Sequence, residues 1–304
     1  MKKLAVLIIF FILSSCSKGK SKTIETLSID AISQNEYATG FNIIAFDSFK
    51  VLEIKNPWPK SDKSYRYLLL SKEEKSEYSY NKEDYDGVIT VPVNTIVVTS
   101  TTHIPALELL DVEKTLVGFP GTDYISSNRT RSLIDNGDIR ELGENEGINT
   151  EVLLNIKPDV VIGYGVDGNN KTLETIKNSG IPVVYNGDWV EKSPLAKAEW
   201  IKFFGALYNK EKEADSIFKK IEADYLQAKT LASKVIERPT VLCGAMYKDV
   251  WYLPNGTSPE AQILKDANVN YLWSETTGKG SLSLSFETVF EKAKQANLWL
   301  SPSY

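Results

Sequence analysis

The sequence holds one histidine, His103, in 304 residues. A site for free zinc or manganese draws on several histidine and carboxylate ligands, so a single histidine argues against one. It would also leave a Ser–His–Asp triad no choice but His103, and no nucleophile elbow accompanies it. No catalytic constellation, metal site or cofactor is therefore expected. Cysteine is almost as scarce, at Cys16 and Cys243 only. A basic excess is missing too: 35 Lys and Arg stand against 40 Asp and Glu, a net charge of −5. Lys2 and Lys3 lie in the leader, so the remainder is more acidic still, which argues against nucleic acid as a partner. The apolar run Leu4 to Leu13 is too short to span a bilayer.

What is present begins with "MKKLAVLIIFFILSSC", residues 1–16. A basic start, a short apolar core and a small-residue cleavage zone make a secretory signal. "LSSC" resembles the lipobox of bacterial lipoproteins. That resemblance implies a lipidated Cys16, which would hold the protein to a membrane without making it integral. An ordinary cleaved signal with a coincidental cysteine is the plainer alternative. With Cys16 lipidated, no intramolecular disulfide is available. Cys243, in "TVLCGAM", reads as a small buried hydrophobe. Residues 17–36 open with "SKGKSKT" and read as a polar tether. The expected location is the periplasm or cell envelope, anchored through Cys16.

Residues 37–92 alternate apolar and polar positions and are rich in aromatics, as in "FNIIAFDSFKVLEIK", which predicts a small β-rich extension. From Val93 the pattern changes. "TIVVTS", "TLVGF", "DVVIGY" and "PVVYNG" are short apolar strands, separated by the helical stretches "THIPALELLDV", "NTEVLLNIK" and "KTLETIKNSG". This alternation predicts a parallel sheet covered on both faces, over 93–193. Residues 194–236 carry apolar residues at helical spacing without an internal proline. One helix there would run about 60 Å, long enough to join two domains. Residues 237–304 resume the α/β pattern in a smaller second lobe. It ends just after a strand, which predicts a C-terminally incomplete fragment. The fold class expected is α/β, with two lobes joined by one long helix.

One pattern occurs twice. "NTEVLLNIKPDVVIG" starts at Asn149 and "SFETVFEKAKQANLWLS" at Ser285. Each has a polar cap, then a glutamate at or near the second helical position, then apolar residues leading to a strand. The helix dipole alone favours an acid there, by about 0.3–1 kcal/mol. It does not explain the same placement of Glu151 and Glu287 in two lobes.

With "NTIVVTSTTHIPALELLDVEKTLVGF", "ELGENEGINTEVLLNIKPDVVIG" and "PLAKAEWIKFFGALYNKEKEADSIFKKI", these segments resemble the solute-binding lipoproteins of bacterial importers for iron–siderophore complexes, vitamin B12 and haem. The resemblance covers residues 93–304 and rests on the ordered set of segments. It implies two α/β lobes around a ligand cleft, and ABC permease subunits as membrane partners. It also implies that Glu151 and Glu287 dock onto arginines of that permease. Paired charges of this kind steer encounter and fix register.

Ligands of open α/β sheets sit at the carboxyl ends of the strands. The loops expected there hold Tyr124, Arg129, Arg131, Tyr164, Trp189, Tyr247, Trp251, Tyr252 and Trp273. Aromatics and arginines suit a large, flat, partly anionic ligand. Tyr124, Arg129, Tyr164, Trp189, Tyr247, Trp251 and Trp273 are the candidates, each with packing as the competing explanation. For His103, burial or capping competes with axial ligation of haem iron. The competing function is a nucleotide-dependent oxidoreductase. "GYGVDG" (Gly163, Gly165, Gly168) matches G-x-G-x-x-G after a strand, and Asp188 falls near the place of a ribose-binding acid. A purely structural surface lipoprotein is the third reading.

Overall fold

A computed structural model describes residues 35–301 apart from 146, 166, 167, 169 and 279, together with the two-residue strands Lys22–Thr23 and Ala31–Ile32. The expected leader 1–16, the expected lipidation site Cys16 and most of the expected tether 17–36 lie outside the described residues.

The N-terminal extension is a five-stranded sheet in the order Ala31–Ile32, Phe41–Ala45, Lys50–Lys55, Ser64–Leu70, Gly87–Thr90. Its neighbours are antiparallel except the last pair. Side chains alternate between faces along a strand, and the two faces have different fates. Phe41, Leu52, Ile54, Tyr67, Leu69 and Ile89 enter the main core, whereas Phe49, Val51, Leu68 and Leu70 form a smaller cluster on the other side. The extension is therefore part of the first lobe's core.

That lobe is built on a five-stranded, all-parallel sheet, ordered Arg140–Glu141, Leu116–Phe119, Ile96–Val98, Val160–Gly163, Val183–Tyr185. Ile96, Val98, Val160, Ile162 and Val184 point into the main core, with the helices Ile104–Leu109 and Ile201–Leu207 and the N-terminal sheet. Val97, Val161 and Val183 point the other way, against Leu153 of helix Thr150–Ile156 and Leu173 and Ile176 of helix Lys171–Asn178. Both faces are covered, as the unbroken apolar strands require.

Residues 194–236 form three helices instead of the single one expected: Pro194–Glu199, Ile201–Leu207 and Glu211–Ser233. The chain turns back at Asn209, whose φ of 55° lies in the left-handed region. Asparagine tolerates that conformation better than most residues. Gly205 then lets the last helix approach, because a Cβ there would sit 2.6 Å from Cβ of Ala214. The long helix is thus the 23-residue Glu211–Ser233, about 34 Å at 1.5 Å per residue. Its first turns bury Ala214 and Phe218 in the first lobe's core. Its later turns meet the second lobe: Tyr225 Oη donates to Asp266 Oδ2 at 2.8 Å, and Lys229 Nζ lies 2.9 Å from Asp266 Oδ1.

The second lobe has its own core of Val241, Leu242, Trp251, Leu253, Leu264, Tyr271, Trp273 and Val289. A parallel sheet, Asn270–Tyr271, Thr240–Cys243, Leu298–Leu300, adjoins an antiparallel one, Ala245–Tyr247, Val250–Pro254, Ser281–Leu284. Helices Pro259–Asp266 and Phe286–Ala293 pack with them. Phe286, Phe290, Leu298, Trp299 and Leu300 are exposed. Among the described residues no helix is long and apolar enough to cross a membrane.

Candidate functional site

The repeated pattern occupies matching places in the two lobes. Asn149 caps helix Thr150–Ile156 by accepting from Val152 N at 3.1 Å, and Ser285 caps helix Phe286–Ala293 by accepting from Thr288 N at 3.3 Å. Glu151 and Glu287 are each the second residue of their helix, and both are exposed. The backbone N–H of Glu287 itself and then the Ser285 hydroxyl hold the Glu287 carboxyl below the usual range. Each helix leads into a strand parallel to the first strand of its lobe, with Val160 opposite Ile96 and Leu298 opposite Val241. Neither carboxylate has a salt bridge among the described residues.

The parallel sheet gathers the loops of the first lobe at its carboxyl edge. Tyr124 closes the turn after Phe119 and is 80% exposed. Glu141 fixes that turn by accepting from Gly121 N (2.9 Å), Thr122 N (2.7 Å) and Thr122 Oγ1 (2.5 Å). Burial pushes the Glu141 carboxyl up, but the Thr122 hydroxyl and the backbone donors outweigh it and hold it low. Tyr164 follows Gly163, its N–H donating to Thr99 Oγ1 at 3.3 Å, while Asn145 Nδ2 donates to Thr99 O at 2.7 Å. Trp189 follows Tyr185 and is half-buried, its indole N–H buried without an acceptor among the described residues. Beside it Thr102 Oγ1 donates to Asp188 Oδ2 at 3.1 Å. Sequence reasoning missed Glu141 and Asn145, whose roles depend on contacts across 19 and 46 residues.

Three of the candidate ligand contacts are engaged or buried, and His103 is buried. Arg129 does not present an open guanidinium: Nε and Nη2 reach Glu113 Oε1 (2.9 and 2.8 Å), Nη2 reaches Asp111 Oδ1 (2.6 Å) and Nη1 reaches Glu108 O (3.1 Å). Trp251 and Trp273 are core residues, 6% and 5% exposed. The Trp251 indole donates to Cys243 O at 3.1 Å, and Lys292 Nζ sits 5.1 Å from the Trp273 ring centre. His103 is 1% exposed and packs on Phe204, with ring centroids 5.6 Å apart, as a core residue. Burial lowers its pKa against the pull of Asp188 and Asn186. Tyr247, 55% exposed at a hairpin end with Lys248 Nζ 5.3 Å from its ring, keeps the exposure a ligand contact needs. Arg131 donates to Thr122 O at 2.8 Å and helps hold the Tyr124 turn. Cys243 is buried and unpaired, its thiol pushed up to about 11 by burial.

"GYGVDG" does not have the arrangement of a dinucleotide loop. The following helix starts only at Lys171, behind an Asn170 cap. Gly168 precedes it and faces Trp58 and Lys63, at 3.3 and 3.7 Å from the place of a Cβ, instead of packing helix on sheet. Val166 and Asp167 of this loop lie outside the described residues. Asp188 is engaged with Thr102.

Residues 96–303 match the family described as "Periplasmic binding protein". The chain is 30% identical over 290 residues to an uncharacterized lipoprotein of Methanocaldococcus jannaschii, covering 88% of this chain and 68% of that protein. It shares its fold with a periplasmic binding protein from Veillonella parvula (TM-score 0.57, 14% identity, 90% of this chain and 75% of that one). It also resembles FeuA, the triscatecholate siderophore binding protein of Bacillus subtilis (TM-score 0.54, 20% identity, 71% and 73%). A match across most of the chain, two separate α/β cores and a bridging helix agree: this protein belongs to the periplasmic binding protein family.

Proposed function

We propose that this chain is the substrate-binding component of an ABC importer. In this reading it captures an iron complex, a ferric siderophore or a related chelate such as cobalamin or haem, and delivers it to a membrane permease. The observation that carries the proposal is the duplicated glutamate. Glu151 and Glu287 take the same second helical position in two separately cored lobes, exposed and without salt bridges among the described residues. Helix capping accounts for one such acid but gives no reason for a matched pair. Two carboxylates on separate lobes can meet two arginines of a two-fold permease and fix its register.

Tyr124, Tyr164, Trp189 and Tyr247 are the proposed ligand contacts, since aromatic faces stack on a flat chelate. The anchor is proposed to be a lipid on Cys16, which places the protein in the cell envelope. Tryptophan fluorescence titrated with a ferric siderophore, cobalamin and haem tests the cargo. One of the three is expected to quench saturably, with a smaller amplitude in Trp189→Phe. Absence of saturable quenching by all three would refute an iron-complex or cobalamin cargo.

A further inference from the structure

The turn Asn56-Pro57-Trp58-Pro59 reaches out of the N-terminal sheet to the carboxyl edge of the parallel sheet. Between it and the loop after Tyr185 lies a pocket of about 270 Å³, lined among others by Lys55, Asn56, Lys60, Ser61, Gly187 and Lys192. A space of this size suits one small polar molecule. Three lysines contribute to its wall. Lys60 and Lys192 have no acidic partner among the described residues, and Lys55 Nζ lies 3.9 Å from Glu53 Oε2. The one carboxylate in the wall, Glu191, is taken up by the scaffold. It accepts from Thr39 N (2.9 Å), Gly40 N (2.8 Å), Thr39 Oγ1 (3.2 Å) and the Trp200 indole (3.1 Å).

The wall is held by packing and hydrogen bonds and includes two left-handed residues. Trp58 is buried against Tyr65 and Tyr185, with ring centroids 5.9 and 5.4 Å away. Asn56 N donates to Lys63 O at 2.9 Å, and Ser61 N to Trp58 O at 3.1 Å. Asn56 and Lys60 both have left-handed backbones, with φ of 49° and 63°. For a lysine that conformation is costly and persists only where its surroundings enforce it. Lys60 and Lys192 both line the pocket. An acidic protein that lines one pocket with three lysines and a single, already engaged carboxylate offers a place for negative charge.

We infer that this pocket binds a small multivalent oxyanion, of the polycarboxylate or polyphosphate type, through Lys55, Lys60 and Lys192. The inference does not rest on the importer reading, because it concerns the anion whether or not iron is attached. Calorimetric titration of the full chain with metal-free citrate and with inorganic pyrophosphate tests it. Saturable binding of at least one is expected, weakening as salt rises, and falling tenfold or more in Lys60→Gln/Lys192→Gln. The single Lys55→Gln variant is expected to lose part of that affinity. Both variants should keep the wild-type thermal unfolding profile, since none of the three lysines is buried. Failure of both anions to bind, or binding untouched in the double variant, would overturn the assignment. Ferric citrate and a ferric tris-catecholate, tested on the same variants, identify the source. A loss shared by ferric citrate and the metal-free anions makes the oxyanion part of the cargo, and a loss for the metal-free anions alone makes it a free ligand; a loss confined to ferric citrate overturns the site.

Discussion

Gly187 and Pro57 meet with no room to spare: a Cβ on Gly187 would lie 3.0 Å from Pro57 Cα. This contact joins the N-terminal extension to a loop at the carboxyl edge of the parallel sheet. Gly187→Ala forces a methyl against the Pro57 backbone, and overpacking of this kind costs about 1–3 kcal/mol. Chemical denaturation should read a loss in that range. An unchanged midpoint would mean that the extension moves freely against the loop.

Glu199 is fully buried and holds the entry of the extension. It accepts from Glu36 N (2.9 Å), Tyr37 N (2.8 Å) and Ala38 N (2.8 Å), and Lys202 Nζ lies 2.9 Å away. Burial pushes its carboxyl up, but the Ala38 N–H, Lys202 and the other backbone donors hold it below its ordinary 4.5. A depressed native pKa gives stability that is complete above the ordinary value and is lost as pH falls through the native one. Glu199→Gln should cost about 2–4 kcal/mol at neutral pH and flatten the acid limb of the stability profile. An acid limb identical to wild type would remove Glu199 from that role.

The helix break at Asn209 depends on Gly205. Gly205→Ala gains up to about 1 kcal/mol of helix propensity but drives a methyl into Ala214, at a cost of about 1–3 kcal/mol. Net destabilisation is expected, visible as a lower thermal midpoint. Stabilisation would show that the two helices have space to part.

Trp251 separates core from ligand roles. Trp251→Ala should lose about 3–5 kcal/mol of stability, as for other buried aromatics. Its effect on ligand affinity should be small at temperatures where the variant stays folded. A selective loss of affinity with stability intact would return Trp251 to the ligand site.

For the proposed docking pair, Glu151→Arg with Glu287→Arg should leave ligand affinity near wild type and abolish uptake in cells. Each single reversal should reduce transport less than the pair. Transport that survives the double reversal rules out the assignment.

Much of the framework was legible because it is written in local patterns. Period-2 stretches marked the N-terminal strands, and unbroken apolar runs such as "DVVIG" marked a sheet covered on both sides. Ser285 and Asn149 announced helix starts by their capping chemistry, and each accepts the expected N–H. The break at residues 208–210 was not legible. Its signal is an asparagine in a left-handed turn, with neither proline nor glycine at the bend, and the glycine it needs stands four residues earlier. The site was read less well for a related reason. A tryptophan in a strand and one in a turn look alike in sequence, whether they face a core, as Trp251 and Trp273 do, or remain partly open, as Trp189 does.

The sequence by itself determined most of the strands and the capped helices of the two lobes, and the matched positions of Glu151 and Glu287, because each follows from near-neighbour sterics, capping and periodicity. Only the tertiary structure decided which charges are already paired. Arg129 meets Asp111 and Glu113 across an intervening strand, and Glu191 meets backbone N–H groups more than 150 residues away. It also decided that the extension and the first lobe share one core, and that Lys55, Lys60 and Lys192 line one pocket. Those outcomes depend on which surfaces bury each other, and local sequence does not encode that.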